Sequence, residues 1–245
     1  HLAGLSNDPL CELRPSLTWE INFKANEMLA HLLQYTGKRI VFASSCSVYG
    51  FSDKEFNEDS FLHPQTLYAQ TKVLSENLFT SPSINNVMLR LATVYGYSPN
   101  PRLDLVVNTM IATSYFENKI TVNGGNQWRP IVHVKDVAQA FYLALHNKTN
   151  DYVYNVGSND QNYTMKDLGE MIHQHLPKSQ YILNEESVDT RSYRVNFDRI
   201  AELGFKAEYG ISDVIKELYT AFSLKKITSL SEDQYFRVKY LQKHL

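Results

Sequence analysis

Apolar residues in this chain fall into two arrangements. Runs with little polar alternation, Ile40-Val41-Phe42-Ala43 and Asn86-Val87-Met88-Leu89-Arg90-Leu91-Ala92, read as strands buried on both faces, as in a parallel sheet. Tyr152-Val153-Tyr154-Asn155-Val156-Gly157 is a further strand, and Ile120-Thr121-Val122 a shorter one. Between them the apolar residues recur at helical spacing. Ser16 can cap a helix in which Leu17, Ile21, Ala25, Met28 and Leu32 share a face, with Gly37 ending it before the first strand. A second helix opens after Pro64, and residues 103–116 and 137–146 predict two more. Thr164 caps a helix carrying Leu168, Met171, Ile172 and Leu176, and Ile211, Val214, Ile215, Leu218 and Phe222 mark another. The tail from Ser231, a capping box with Gln234, carries Tyr235, Val238 and Leu241. Residues 51–65 are polar and irregular, a lip beside the strand ends.

Composition narrows the class. With 245 residues, 43% of them hydrophobic, the chain suits one globular unit or a domain with a smaller lobe. A net charge of −2 argues against a nucleic-acid surface. No apolar run approaches the roughly 18 residues of a membrane helix, and a cytoplasmic location is expected. Cys11 and Cys46 make neither a disulfide framework nor a metal quartet. His173 and His175, two apart on a predicted helix, point to opposite faces and cannot share a metal.

The chemistry gathers between Arg39 and Lys72. In open α/β sheets ligands collect beyond the carboxyl ends of the strands, and Ser45 sits where the Ile40 strand ends. Tyr68 and Lys72 are four apart, on one face of the following helix. An ammonium beside a phenol favours the phenolate, lowering its pKa from about 10 toward a general base that works near neutrality. Taken singly, such a Tyr and Lys are most often a solvated helix face, and a Ser-rich strand end is a turn. Together and in order, a buried strand, Ser45, Val48-Tyr49-Gly50 and Tyr68-Ala69-Gln70-Thr71-Lys72 point to catalysis.

That combination resembles the extended short-chain dehydrogenase/reductase family, and within it the NAD-dependent nucleotide-sugar epimerases and dehydratases, with UDP-glucose 4-epimerase-like members nearest in pattern. The resemblance implies that Ser45, Tyr68 and Lys72 are the catalytic set. Asn22 matches an Asn that in the family supports the Lys through water, against the plain reading of an ordinary helical Asn. His1-Leu2-Ala3 looks like the close of the fourth strand of the cofactor domain, beside the dinucleotide, and Ser44, Thr93 and Val94 join Tyr68 and Lys72 as implied cofactor contacts. Ser47, Tyr95 and Asn108 are implied substrate contacts. Gly124 to Asp136 resembles the family's Gly-rich turn, phosphate-binding Arg and Val-x-Asp, with Asn126 in place of the second Gly and Arg129 as the Arg. Arg191, with Arg194 as the alternative, is the implied second phosphate-directed Arg, and Arg90 is read equally as an ion pair or a ligand contact.

The implied fold is α/β: a Rossmann-type doubly wound parallel sheet, N-terminally incomplete, with a smaller C-terminal α/β substrate lobe. Residues 1–98, with segments near 131–157, would form the C-terminal part of the NAD-binding domain, and 99–130 and 158–245 the lobe. In the family the Gly-rich loop, first helix and first three strands come earlier, together with the residue that separates NAD from NADP. The expectation is a fragment that holds its cofactor poorly. The implied partners are a nucleotide-sugar and a second copy, paired through helices that include the Tyr68 helix. Hexose 4,6-dehydratases carry Thr-Asp-Glu at the strand end, where this chain has Ser45-Cys46-Ser47, nearer the Ser-Ala-Thr of 4-epimerases. The expected reaction is epimerisation at C4, with a 4-keto reductase, a dehydratase or a catalytically idle homologue as alternatives.

Overall fold

The computed structural model describes residues 1–148, 152–186 and 192–244. The chain begins with α1 (Asp8–Leu13), α2 (Pro15–Trp19), a π turn (Glu20–Lys24) and α3 (Ala25–Leu33). Then come β1 (Arg39–Ser45), a 3-10 turn (Cys46–Tyr49), β2 (Glu55–Phe56), α4 (Leu67–Phe79), β3 (Asn85–Leu91) and β4 (Thr93–Tyr95). The middle holds α5 (Val106–Glu117), β5 (Lys119–Asn123), β6 (Trp128–His133), α6 (Val134–His146) and β7 (Val153–Val156). The remainder holds β8 (Asn162–Thr164), α7 (Met165–His175), β9 (Gln180–Asn184), β10 (Arg194–Val195), α8 (Asp198–Glu202), α9 (Ile211–Ser223) and α10 (Arg237–His244).

The predicted parallel sheet is present, in the order β1-β3-β7. On the other edge of β1, His1 donates its nitrogen to the Val41 carbonyl at 2.7 Å and accepts from Ala43 N at 3.1 Å. Both faces are covered, which is why these strands lack alternation. Val41, Val87 and Leu89 pack with Val137, Ala140 and Ala144 of α6 on one face, where Val195, Phe197 and Ile200 join them. Ile40, Phe42 and Met88 pack with Ala30 of α3 and Phe79 of α4 on the other. A separate core lies around the parallel pair β5-β9, where Met110, Ile111, Ile120, Val122, Leu168, Val214 and Leu218 meet. Strands β4, β6 and β8 form a small mixed sheet.

The first long helix departs from its apolar pattern. Thr18, Asn22, Asn26 and Ala30 make its buried stripe, whereas Met28 and Leu32 are each 68% exposed. The reason lies across the seam, where α4 presents Thr71 and Ser75 rather than apolar side chains. The Asn26 amide donates to Ser75 Oγ at 2.8 Å, and Asn22 reaches Thr71 Oγ1 at 3.5 Å. Buried polar groups must be bonded, and complementary partners turned the helix against its hydrophobic periodicity.

Candidate active site

Strand β1 delivers Ser45 to the carboxyl edge of the sheet, where its hydroxyl caps the 3-10 turn, accepting from Ser47 N at 3.2 Å and from Ser47 Oγ at 2.9 Å. Helix α4 begins at the N-cap Thr66, whose hydroxyl accepts from Ala69 N, and this puts Tyr68 in the first turn. The Ser45 hydroxyl stands close enough to the Tyr68 phenol to act on it, pulling its pKa down. One turn on, the Lys72 ammonium donates to the Ala43 carbonyl at 2.7 Å and lies 5.6 Å from the Tyr68 ring centroid and 4.7 Å from that of Phe42. The three expected side chains therefore share one corner, with Ser47 joined to it.

Their electrostatics differ from the expectation. Burial holds the Tyr68 phenol well above its ordinary value, and the neighbouring Ser45 hydroxyl offsets only part of this. Burial also brings the Lys72 amine down to about 8. A low-dielectric corner disfavours charge on both groups, and this outweighs the acidification that the Tyr-Lys spacing predicts. The side chains whose charges act on Tyr68 include three that sequence reasoning missed: Asp8 and Cys11 from α1, and Arg102 from the loop before α5. Asp8 accepts a short bond from Thr66 Oγ1, and Arg102 donates to Ser6 Oγ at 2.9 Å while forking onto Asp104. The signal for α1 was Asn7-Asp8-Pro9, an N-cap followed by Pro in the first turn, with Asn7 accepting from Leu10 N.

Several expected contacts are corrected. Ser44 points to the face opposite Ser45 and bonds Glu76, which is paired with Arg90 at 2.7 Å; both partners are nearly fully buried. Arg90 also donates to Tyr49 Oη at 3.0 Å, so it is an ion-pair residue of the core. Asn22 clamps the backbone of Leu5, accepting from its nitrogen at 2.7 Å and donating to its carbonyl at 2.9 Å. The His1 ring turns inward, stacked on Phe42 and bonded to Asn26 Oδ1 at 2.7 Å, while Leu2 and Ala3 are exposed beside the sheet. Tyr95 is 1% exposed in the second core, its hydroxyl donating to the Tyr209 carbonyl at 3.1 Å. Asn108 closes the loop after β4 with bonds to both backbone groups of Gly96 and to the Arg102 carbonyl. In both cases the side chain is bonded to nearby backbone.

Thr93 and Val94 remain half-buried on β4, paired with Ile131 and Val132. Arg129 is buried, donates to the Trp128 carbonyl at 2.8 Å and stands 5.8 Å from the Tyr193 ring. Arg194 lies 5.2 Å from the Trp128 ring, and Arg191 falls outside the described residues. Two clefts, one lined by Tyr97, Lys135 and Glu217 and the other by Glu58, Asp198 and Arg199, contain none of the triad.

Gly50 carries the chain from the 3-10 turn into the lip at φ +77°, so close to its return strand that a β-carbon would stand 2.2 Å from the His63 carbonyl oxygen. Glu58 pins the same lip to the sheet, accepting from Asn155 N at 2.8 Å.

The sequence profile of the NAD dependent epimerase/dehydratase family matches residues 1–157. The dTDP-4-dehydro-6-deoxyglucose reductase of Escherichia coli is 28% identical over 201 residues, covering 77% of this chain and 62% of that protein. The dTDP-D-glucose 4,6-dehydratase of Homo sapiens is 25% identical over 194 residues, 74% of this chain and 55% of that protein. The chain thus spans less than two thirds of the length of either relative. Among solved structures, MoeE5 in complex with UDP-glucuronic acid and NAD superposes with a TM-score of 0.77 at 26% identity, covering 91% of this chain and 78% of that one.

Proposed function

Because the chain belongs to the NAD dependent epimerase/dehydratase family, we propose that it carries the catalytic corner of a nucleotide-sugar 4-epimerase. The observation that carries this reading is the Tyr68 phenol beside Ser45 with Lys72 one turn behind, at a strand end whose next two residues, Cys46 and Ser47, offer no carboxylate. Cys46 is buried and donates to the Arg90 carbonyl, so elimination of water has no acid and base there.

The residues present fit the nicotinamide end of NAD. Tyr68 and Lys72 supply a phenol and an ammonium at one corner, and Leu2-Ala3 an exposed strip of chain beside it. Among the described residues no Gly-x-Gly-x-x-Gly turn joins a strand to a helix, so the pyrophosphate has no cradle of that kind here. When bound, NAD supplies acceptance and return of the hydride. Tyr68 takes the proton from the sugar 4-hydroxyl and later returns it to the same oxygen, while Ser45 holds that oxygen by a hydrogen bond. A phenol held above its ordinary value is a stronger base once ionised and a weaker acid for the return, so both transfers lean on the positive charge of Lys72 beside it. Lys72 keeps a positive charge beside the phenol below about pH 8 and stabilises the phenolate when it forms. Arg129, from β6, is the guanidinium suited to the diphosphate.

Incubating the full-length protein with UDP-sugars and NAD, and resolving the products by NMR, tests this: a C4 epimer without net change in NADH is expected. Stoichiometric consumption of added NADH would favour instead the 4-keto reductase, the reading supported by the likeness to the Escherichia coli reductase. The outward apolar stripe of α3, Met28 and Leu32, supports pairing with a second copy along the helices beside Tyr68. Met28→Glu should shift the protein from dimer to monomer in sedimentation velocity, and an unchanged sedimentation coefficient would reject that interface. The two buried free thiols, Cys11 and Cys46, suit a reducing compartment such as the cytoplasm.

A further inference from the structure

The seam between α4 and the helix of residues 15–33 is polar along its length, although an apolar stripe was available on the same helix. Asn22 and Asn26 face Thr71 and Ser75, and all four side chains are at most 3% exposed. At the centre is the π turn Glu20–Lys24, where the backbone bond runs from Ala25 N to the Glu20 carbonyl, one residue further than in an α-helix. The carbonyl of Asn22, inside that turn, receives the Asn26 amide at 2.7 Å and lies 2.9 Å from Ser75 Oγ. The same Ser75 oxygen accepts from Asn26 Nδ2 at 2.8 Å and lies 2.8 Å from the Thr71 carbonyl, so its one proton serves two carbonyls. Thr71 Oγ1 in turn donates to the Tyr68 carbonyl at 2.8 Å. A slip of α4 by one residue would rotate Tyr68 and Lys72 about 100° away from the strand end and break the two bonds that cross the seam, Ser75 to the Asn22 carbonyl and Asn26 to Ser75. An apolar seam of similar shape would tolerate such a slip more readily, because dispersion contacts are not directional.

We propose that Ser75 is a positioning residue whose hydroxyl, keyed into the π turn at Asn22, fixes the register of α4 that brings Tyr68 to Ser45 and Lys72 to the Ala43 carbonyl. The assignment rests on the catalytic reading of that corner, but its test does not. Lys72 reports the register because its surroundings are set by it: the Ala43 carbonyl and Phe42 ring from β1, Tyr68 and Glu76 from its own helix, Cys11 from α1 and the amine of His1.

The experiment follows the Lys72 titration by NMR in protein carrying 13C at lysine Cε, with the resonance assigned by its loss in Lys72→Arg. In the unaltered protein the midpoint is expected at about 8. In Ser75→Ala it should rise by at least half a pH unit toward the ordinary lysine value of about 10.4, as the amine is re-wetted. Ser114→Ala, which removes a buried hydroxyl in the other core, bonded to Ser179, should leave it unmoved. A folded Ser75→Ala protein with an unshifted Lys72 midpoint overturns the proposal. Should Ser75→Ala fail to fold, Asn26→Ala, which removes the donor to Ser75 and leaves α4 intact, takes the same measurement with the same expected rise. A protein that titrates as expected yet converts no nucleotide-sugar would reject the function and leave the positioning role standing.

Discussion

The corner at the end of β1 and the core around β5 and β9 both contain residues that the sequence offered as functional, and they treat them in opposite ways. At the corner, Ser45, Tyr68 and Lys72 meet through a strand end and a single helical turn, each relying on a few neighbouring residues. In the second region Tyr95 and Asn108 are drawn into packing and loop closure, their side chains bonded to the backbone of Tyr209, Gly96 and Arg102. A polar side chain is available for chemistry when the scaffold leaves one of its bonds to the ligand. Where the scaffold completes the set, the side chain is structural, whatever motif it sits in.

The largest separation of the two regions is kinetic. Tyr68→Phe keeps the ring and removes the proton carrier, so turnover of the accepted nucleotide-sugar should fall about 10²- to 10⁴-fold while the thermal midpoint stays put. An equal fall for Tyr95→Phe would erase the contrast. Next is the buried pair beneath the corner. Arg90→Ala strands the Glu76 carboxylate and Ser44 away from water and should lower stability by about 3–5 kcal/mol in urea denaturation, a loss expected of a core ion pair and not of a ligand contact.

Lys72 gives a pH signature at the corner only. Its folded-state value, about 8, lies below the unfolded value near 10.4. Between these values the unfolded chain binds more protons than the folded one, so stability rises as pH rises through that window, by at most about 3 kcal/mol. Below pH 8 the penalty for burying the ammonium is present in full. Lys72→Met should therefore be more stable than the parent at pH 7 and should flatten the rise between pH 8 and 10, read from unfolding midpoints. The smallest effects belong to the second region. Asn108→Ala leaves the Gly96 nitrogen without its acceptor and should destabilise by about 1–3 kcal/mol, and Tyr95→Phe by about 1 kcal/mol, both with an unchanged KM.

What could be read in the sequence follows the same division. The parallel strands were legible in runs such as Ile40 to Ala43, and the triad in a strand end plus a four-residue spacing, because each needs only local periodicity. Ser44 was not separable from Ser45 until α4 placed Glu76 beneath it. The orientation of the first long helix was misread for a physical reason: Met28 and Leu32 keep helical spacing, yet the bonds of Asn22 and Asn26 across the seam decided which stripe faced inward. The acidification of Tyr68 was inferred from the neighbouring charge alone, and burial, a property of the whole fold, reversed its sign. Helix α1 was the one avoidable miss, since Asn7 and Pro9 announce it.

The turn at Gly50 carries one more lesson. A single methyl there would collide with the His63 carbonyl and lever the 51–65 span off the strand ends. The spacing between residue 50 and residue 63 is thus set by a hydrogen where other residues have a carbon.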